Sequence, residues 1–144
     1  MINATAEYAL RAVVYLAGRA PGYTSREQIA LETVIPSEYL VHVLMTLDDA
    51  KIIISQRGRN GGYQLVGDAA ELTVYDVIAA VSALPRVDKC QLGIEEHIDL
   101  CPLHARLDEV AALVEAAYRA TSIAELIPRK CKPKTGCAFP RLKR

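Results

Sequence analysis

The period of the apolar residues changes after Ala50, and this change constrains the fold more than any other feature. Before it, four apolar residues recur at helical spacing: Leu40, Val43, Leu44 and Leu47. After it, residues 52–54 are all isoleucine and residues 63–66 alternate, as strands do. The segment between them, 55–62, is rich in glycine and carries Asn60. The pattern predicts a helix followed directly by a β-hairpin.

Helical signals fill most of the remaining chain. The apolar residues within 7–18 fall on one helical face, which predicts a first helix. Pro36 stands near the start of the third helix, where its missing N–H costs little. Thr24 and Glu27 match a capping box that opens a second helix. We expect three of its residues to face inward: Ile29, Ala30 and Val34.

The second half of the chain shows three further helical signals. Thr73 caps a fourth helix, and residues 102–120 form the longest one. Ser122 and Glu125 match a capping box for a last short turn. The long helix carries a seam suited to packing against another helix, made of Leu103, Leu107, Val110, Val114 and Ala117.

The expected fold class is mainly α with a small β-hairpin, namely a winged helix–turn–helix followed by a long C-terminal helix. We expect a first domain over residues 1–84 and a loop over 85–101. The long helix and a short end helix would cover 102–127, and a basic tail 128–144.

The charge is distributed unevenly although the net charge is zero. Residues 1–127 hold 10 basic and 17 acidic side chains, whereas residues 128–144 hold 7 basic and no acidic ones. Such a tail is either a solvated end or an arm that adds phosphate contacts. The chain has no apolar run of membrane-spanning length and no signal-peptide pattern at its start, so we expect a soluble cytoplasmic protein with no membrane partner.

The order of these elements points to double-stranded DNA as the partner. The third helix buries one stripe and leaves the other free for a major groove. The hairpin tip carries Arg57 and Arg59, which suit phosphates and narrow minor grooves. The alternatives are a helical domain with an incidental hairpin and a protein-binding adaptor that kept the winged fold.

Several motifs resemble one family of transcription regulators. They are EYALRA at residues 7–12, IPSEYL at 35–40, RGRNGGYQL at 57–65 and TSIAEL at 121–126. Together they resemble the family of the iron–sulfur cluster regulator and the nitric-oxide-sensing repressor (IscR- and NsrR-type, the Rrf-two family) over about residues 1–127. The resemblance implies a homodimeric transcription regulator, which we expect to be a repressor. In it, residues 1–84 would form the DNA-binding domain, residues 85–101 a sensor loop, and the long helix within 102–127 the dimerisation helix.

The resemblance also implies which residues contact DNA. Arg57 matches the family's wing arginine, and Tyr39 matches its recognition-helix tyrosine. Val41 and His42 replace a Glu-Gln pair that reads bases in the cluster regulator, so the preferred DNA sequence is expected to differ. Val41 could contact a thymine methyl, and His42 could donate to guanine. The expected DNA-contacting residues are Arg26, Ser37, Glu38, Tyr39, Val41, His42, Arg57, Arg59, Asn60 and Gly61.

A cysteine site is implied on the segment before and at the long helix. Cys90, Cys101 and His104 match two of the family's three cysteines and its Cys-x-x-His spacing, while the middle cysteine is absent. The resemblance implies a [2Fe–2S] cluster held by these residues, with a carboxylate completing the set. The candidates for that carboxylate are Glu95 or Glu96, near the place of the missing cysteine, and Glu7 of the partner subunit.

Other uses of the cysteines stay open. Cys101 at a helix start is a candidate redox-sensing thiol, and it could form a regulatory disulfide with Cys90. Cys131 and Cys137 could join them in a four-thiolate zinc or cluster site. A cluster-free regulator that senses a metabolite or a protein partner is a further alternative. Cys101 and His104 could also serve as nucleophile and base, but no third orienting group or oxyanion motif accompanies them, so we expect no enzyme.

Overall fold

The computed structural model describes residues 2–87 and 100–128. Cys90, Glu95, Glu96, Cys131, Cys137 and the tail beyond Pro128 lie outside the described residues, so the hypotheses that depend on them stay predictions. The described elements are α1 (Ala4–Ala17), α2 (Arg26–Thr33), α3 (Ser37–Asp49), β1 (Ile53–Gln56), β2 (Gly62–Leu65), α4 (Val74–Val81), α5 (Pro102–Ala120) and α6 (Ile123–Leu126). A mainly α fold with a small β-hairpin is confirmed.

Helix α1 lies at the centre of the fold because one side of it is almost entirely small or branched apolar residues. It packs against α2, α3, α4, α6 and β2. The side chain of Asn3 accepts a hydrogen bond from the backbone N–H of Ala6 at 2.8 Å, which caps the helix start. The helix ends at Ala17, with Gly18 as its C-cap. Its buried residues are Ala6, Ala9, Ala12, Val13, Val14 and Leu16.

The predicted start of α2 is wrong by one residue. Ser25, not Thr24, is the N-cap, and its hydroxyl accepts from the N–H of Gln28 at 3.3 Å. Thr24 is buried because it belongs to the sheet: it exchanges two backbone hydrogen bonds of 2.9 Å with Tyr63. The segment before α2 therefore acts as a third, one-residue strand at the base of the hairpin.

The predicted inward position of Val34 is also wrong. Val34 terminates α2 with a left-handed backbone (φ 55°), and its side chain is exposed. Ending the helix in this conformation changes the chain direction, so that the next residue, Ile35, is buried instead. The buried residues of α2 itself are Ile29 and Thr33.

The hairpin forms as predicted, with its strands shifted by one or two residues. Ile53 is paired with Leu65, and Gln56 is paired with Gly62. Ile53 and Leu65 are both buried, so the base of the hairpin belongs to the core while its tip extends into solvent. Ile52 lies outside β1, and its N–H donates to Leu47 at the end of α3.

The C-terminal helices begin at the predicted residues, although α4 ends at Val81, before the Leu84-Pro85 pair that the sequence predicts as its end. Thr73 caps α4 in a reciprocal capping box with Asp76. Helix α5 covers Pro102–Ala120 and packs on α4, and His104 is its one buried residue. Helix α6 returns to α1, where Ile123 is fully buried. Four large apolar residues of α5 are exposed: Leu103, Leu107, Val110 and Leu113.

Candidate nucleic-acid interface and sensor site

Helix α3 has one buried and one exposed face. The predicted core stripe of Leu40, Val43, Leu44 and Leu47 is buried, as its spacing requires. On the opposite side, Glu38, His42 and Met45 are exposed. The outward face is therefore available to a partner, which is the geometric requirement for a recognition helix.

The start of α3 is held against α1 by aromatic contacts. The rings of Tyr8 and Tyr39 lie 6.0 Å apart at an angle of 50°, a favourable tilted arrangement. The guanidinium of Arg11 lies 5.9 Å from the centre of the Tyr8 ring, and Arg11 also pairs with Glu7. Tyr39 keeps 54% of its surface exposed, so it is oriented by α1 and still accessible.

The tip of the hairpin depends on close backbone packing. The N–H of Gly61 donates to the carbonyl of Gly58 at 3.0 Å, which closes the turn. Gly62 has a φ of +147°, and a Cβ there would lie 2.6 Å from the carbonyl carbon of Thr24. The Thr24–Tyr63 bridge can form only because Gly62 has no side chain.

The charges of the hairpin tip are unpartnered in the described part of the chain. Arg57 and Arg59 are exposed, and neither forms an ion pair with a residue between 2–87 or 100–128. In contrast, Arg26 at the start of α2 pairs with Glu27 at 3.3 Å. Two cations without counter-ions suit phosphate contacts, because no internal ion pair must be broken first.

A side-chain hydrogen bond links the hairpin to α3. The hydroxyl of Ser55 in β1 donates to the carboxylate of Asp48 near the end of α3 at 2.8 Å.

Of the ten predicted DNA-contacting residues, Val41 and Gly61 are half-buried and the other eight are exposed. Met45 is not one of the ten, although its helical position relative to the core stripe places it on the outward face.

The predicted sensor residues Cys101 and His104 come together. Cys101 is the N-cap of α5, and its Sγ lies 3.1 Å from Nδ1 of His104, which is only 7% exposed. Because the pair holds one thiol and one imidazole side by side, it fits two of the ligands that a [2Fe–2S] cluster needs. Within residues 2–87 and 100–128, no three potential ligands are grouped as a metal site. The structure does not bring Glu7 to this pair; Glu7 is exposed on the first turn of α1.

An ion-pair network fixes the chain after α4 to the middle of α5. The carboxylate of Asp108 accepts from Nε and Nη2 of Arg86, both at 2.7 Å, and from the N–H of Val87 at 3.1 Å. The Arg86 side chain lowers the pKa of Asp108 to about 2, with the Val87 hydrogen bond as the next cause. Glu115 pairs with Arg119, whose guanidinium lies 3.3 Å from the centre of the Tyr75 ring on α4.

An apolar groove lies beside this network. It has a volume of about 210 Å³ and is bounded by the segment after α4 and by the exposed side of α5. Three members of the predicted seam line it: Leu107, Val110 and Val114.

No helix within residues 2–87 and 100–128 is long and apolar enough to span a membrane.

Curated relatives are regulators with a helix–turn–helix. The chain is 37% identical over 81 residues to a Mycobacterium tuberculosis protein described as an HTH-type transcriptional regulator, covering 56% of this chain and 50% of that protein. It thus spans about half of the length of that relative. It is 30% identical over 118 residues to the HTH-type transcriptional regulator BadM of Rhodopseudomonas palustris, covering 82% and 75%.

Solved structures show the same fold. CymR, the global cysteine regulator of B. subtilis, superposes with a TM-score of 0.75 at 24% identity, covering 88% of this chain and 95% of the other. IscR of T. potens superposes with a TM-score of 0.73 at 20% identity, covering 88% and 85%. The profile of the Rrf2 family, described as iron-dependent transcriptional regulator, matches residues 2–129. The chain therefore belongs to the Rrf2 family, whose members are transcriptional regulators and not enzymes.

Proposed function

We propose that this chain is a sequence-specific DNA-binding transcription regulator that represses by occupying its operator. The observation that carries the proposal is the exposed face of α3 beside a hairpin whose two arginines have no ionic partner among the described residues. Helix α3 would enter the major groove, and Arg57 and Arg59 would contact the backbone or the adjacent minor groove.

The charge distribution supports contact at a few defined points. Residues 1–66 hold six basic and six acidic side chains, so this part of the chain has no net positive charge. The backbone N–H groups at the start of α3 add a partial positive charge against one carboxylate, Glu38, whereas Asp48 and Asp49 add two carboxylates to its other, negative end. The start of α3 would therefore be the end that approaches the phosphates. The seven basic residues of 128–144 would add non-specific affinity.

The exposed stripe of α5 supports assembly as a homodimer. Leu103, Leu107 and Val110 lie on one side of α5 and are each about half exposed or more within one chain. An apolar stripe of this length on a long helix is suited to packing against its copy across a two-fold axis. A dimer of this kind would bind two half-sites that are related by symmetry.

The pair of Cys101 and His104 supports a sensor at the start of the proposed dimerisation helix. In this proposal they are ligands of a [2Fe–2S] cluster, with Cys90 and the partner subunit's Glu7 as further candidates. The cluster would supply a change of charge on oxidation or loss. The chain itself would have two roles in this site. It holds the Cys101 thiol beside the buried imidazole of His104, and it anchors Val87, near the start of the sensor loop, to Asp108 on α5. A redox-active thiol at Cys101 is the alternative.

Salt-dependent binding tests the DNA-binding proposal. The probe is a fluorescent duplex of the chain's own promoter region, titrated by anisotropy at several salt concentrations. We expect Arg57→Ala to weaken binding and to reduce the slope of log K against log salt by about 1, because one phosphate contact is lost. Arg106→Ala removes an equal charge from α5 and should leave the slope unchanged. A wild-type protein without salt-sensitive binding would contradict the proposal.

A separate experiment tests the sensor. The protein is purified without oxygen, and its visible absorption, iron and acid-labile sulfide are measured. The cluster proposal predicts a coloured protein whose iron content falls in Cys101→Ser and His104→Ala. A colourless, iron-free wild-type protein would contradict the cluster proposal. Thiol oxidation would then be tested by labelling Cys101 before and after peroxide treatment.

A further inference from the structure

We infer that α3 reads thymine methyl groups through an apolar stripe formed by Val41 and Met45. The inference rests on the proposed DNA-binding function and names the base chemistry that the recognition helix selects. Met45 extends the set of predicted contact residues, which on this helix ends at His42.

The position of the stripe follows from helical spacing and one hydrogen bond. Val41, Met45 and Asp48 are separated by four and three residues, so they lie along one side of α3. Asp48 accepts the hydrogen bond from Ser55 of β1 at 2.8 Å. The side of α3 that carries Val41 and Met45 therefore faces toward the hairpin, whose two arginines form no ion pair within the described residues, and this places it on the surface proposed to meet DNA.

Met45 is an exposed apolar residue that the core does not use. It keeps 59% of its surface exposed, whereas its neighbours Leu44 and Leu47 are fully buried. Val41 is half-buried at the edge of the same stripe. Because the thioether chain of Met45 is not committed to the core, its flexible apolar surface is available to a partner.

The other side chains of the outward face exclude the commonest base contact. Helix α3 contains no Arg or Lys, so it cannot make the bidentate contact with guanine that those residues make. Its exposed carboxylate and imidazole side chains are those of Glu38, His42 and Asp49. In the major groove, thymine is the base that presents a methyl group, and apolar side chains are its complement. The composition of this face therefore favours half-sites in which thymines lie opposite Val41 and Met45.

Methyl deletion in the DNA tests the inference directly. Preferred duplexes are first selected with the full chain from a random-sequence duplex library. Each thymine of the selected duplex is then replaced by deoxyuridine, which removes only the methyl group. We expect one or two positions per half-site at which this replacement raises Kd about fourfold, the loss expected from one buried methyl group. Thymines outside those positions should show no change.

Protein variants assign the methyl contact to the stripe. In Met45→Ala the ratio of Kd for the deoxyuridine duplex to Kd for the thymine duplex should fall from about four to about one at one of the sensitive positions. Val41→Ala should act in the same way at a neighbouring position. Met45→Leu keeps an apolar side chain of similar size and should preserve the ratio. Circular dichroism checks that each variant is folded, which is expected because both positions lie outside the core.

The outcomes separate this inference from the proposed function. If selection enriches no duplex, the DNA-binding proposal fails and this inference fails with it. If a duplex binds in a salt-sensitive manner but no thymine responds to deoxyuridine, only the thymine-reading inference is overturned. It is equally overturned if a sensitive thymine stays sensitive in both Met45→Ala and Val41→Ala, because the methyl contact then lies elsewhere.

Discussion

Replacing Gly62 by alanine should detach the base of the hairpin from the segment that precedes α2. At the φ of +147° an alanine is strained, and its Cβ would lie 2.6 Å from the carbonyl carbon of Thr24. The strain costs about 1–3 kcal/mol. The two 2.9 Å hydrogen bonds between Thr24 and Tyr63 would be lost, at roughly 0.5–1.5 kcal/mol each. The sum is about 2–6 kcal/mol, a large part of the roughly 5–15 kcal/mol that stabilises a typical domain.

Urea unfolding followed by circular dichroism measures this loss at a fixed protein concentration. Gly67→Ala is the matched control, because Gly67 also has a positive φ (+75°) but a Cβ added there would have no other atom within 4 Å. That variant should lose only the cost of the left-handed backbone, roughly 1–2 kcal/mol. Equal destabilisation of the two variants would refute the reasoning, because the close approach to Thr24 would then contribute nothing.

Two further predictions concern the second half of the chain. Because Arg86 lowers the pKa of Asp108 to about 2, its ion pair stabilises the fold fully above about pH 4, and this stabilisation is lost as the pH falls toward 2. Asp108→Asn should therefore lower Tm at neutral pH and show a smaller fall in Tm between pH 4 and 2; a parallel fall in both proteins would contradict this. Thr73→Ala should cost about 1 kcal/mol in urea unfolding because α4 loses its capping box, while Thr73→Ser, which keeps the hydroxyl, should stay close to wild type. An unchanged Thr73→Ala would show that the cap is not needed.

Elements determined by neighbouring residues were predictable from the sequence. The limits of α5 follow from Pro102 at its first position and from a steady apolar seam. The contact between Cys101 and His104 follows from a three-residue spacing at a helix start. In both cases the decisive interactions lie within one or two helical turns, where the period of the sequence specifies the geometry.

Features that depend on distant residues were not predictable. Thr24 matches a helix cap locally, but its pairing with Tyr63 shifts the cap to Ser25. The exposure of Val34 follows from a left-handed backbone that no apolar period indicates. The bonds between Arg86 and Asp108 join two segments whose relative placement is set by the packing of α5 on α4. For the site, the helical period predicts which residues of α3 are accessible. The thymine contact that we infer for Met45 depends in addition on the position of the hairpin.

The hydrogen bond between Ser55 and Asp48 has a consequence for the operator. It restrains the distance between the helix proposed to read bases and the arginines proposed to contact the backbone, and the pairing of Thr24 with Tyr63 holds the same hairpin from its other side. The spacing between α3 and the hairpin tip is then constant from one complex to the next. A base pair inserted between their contact points would rotate one of them off its target, so we expect half-sites to tolerate substitutions far better than changes in length.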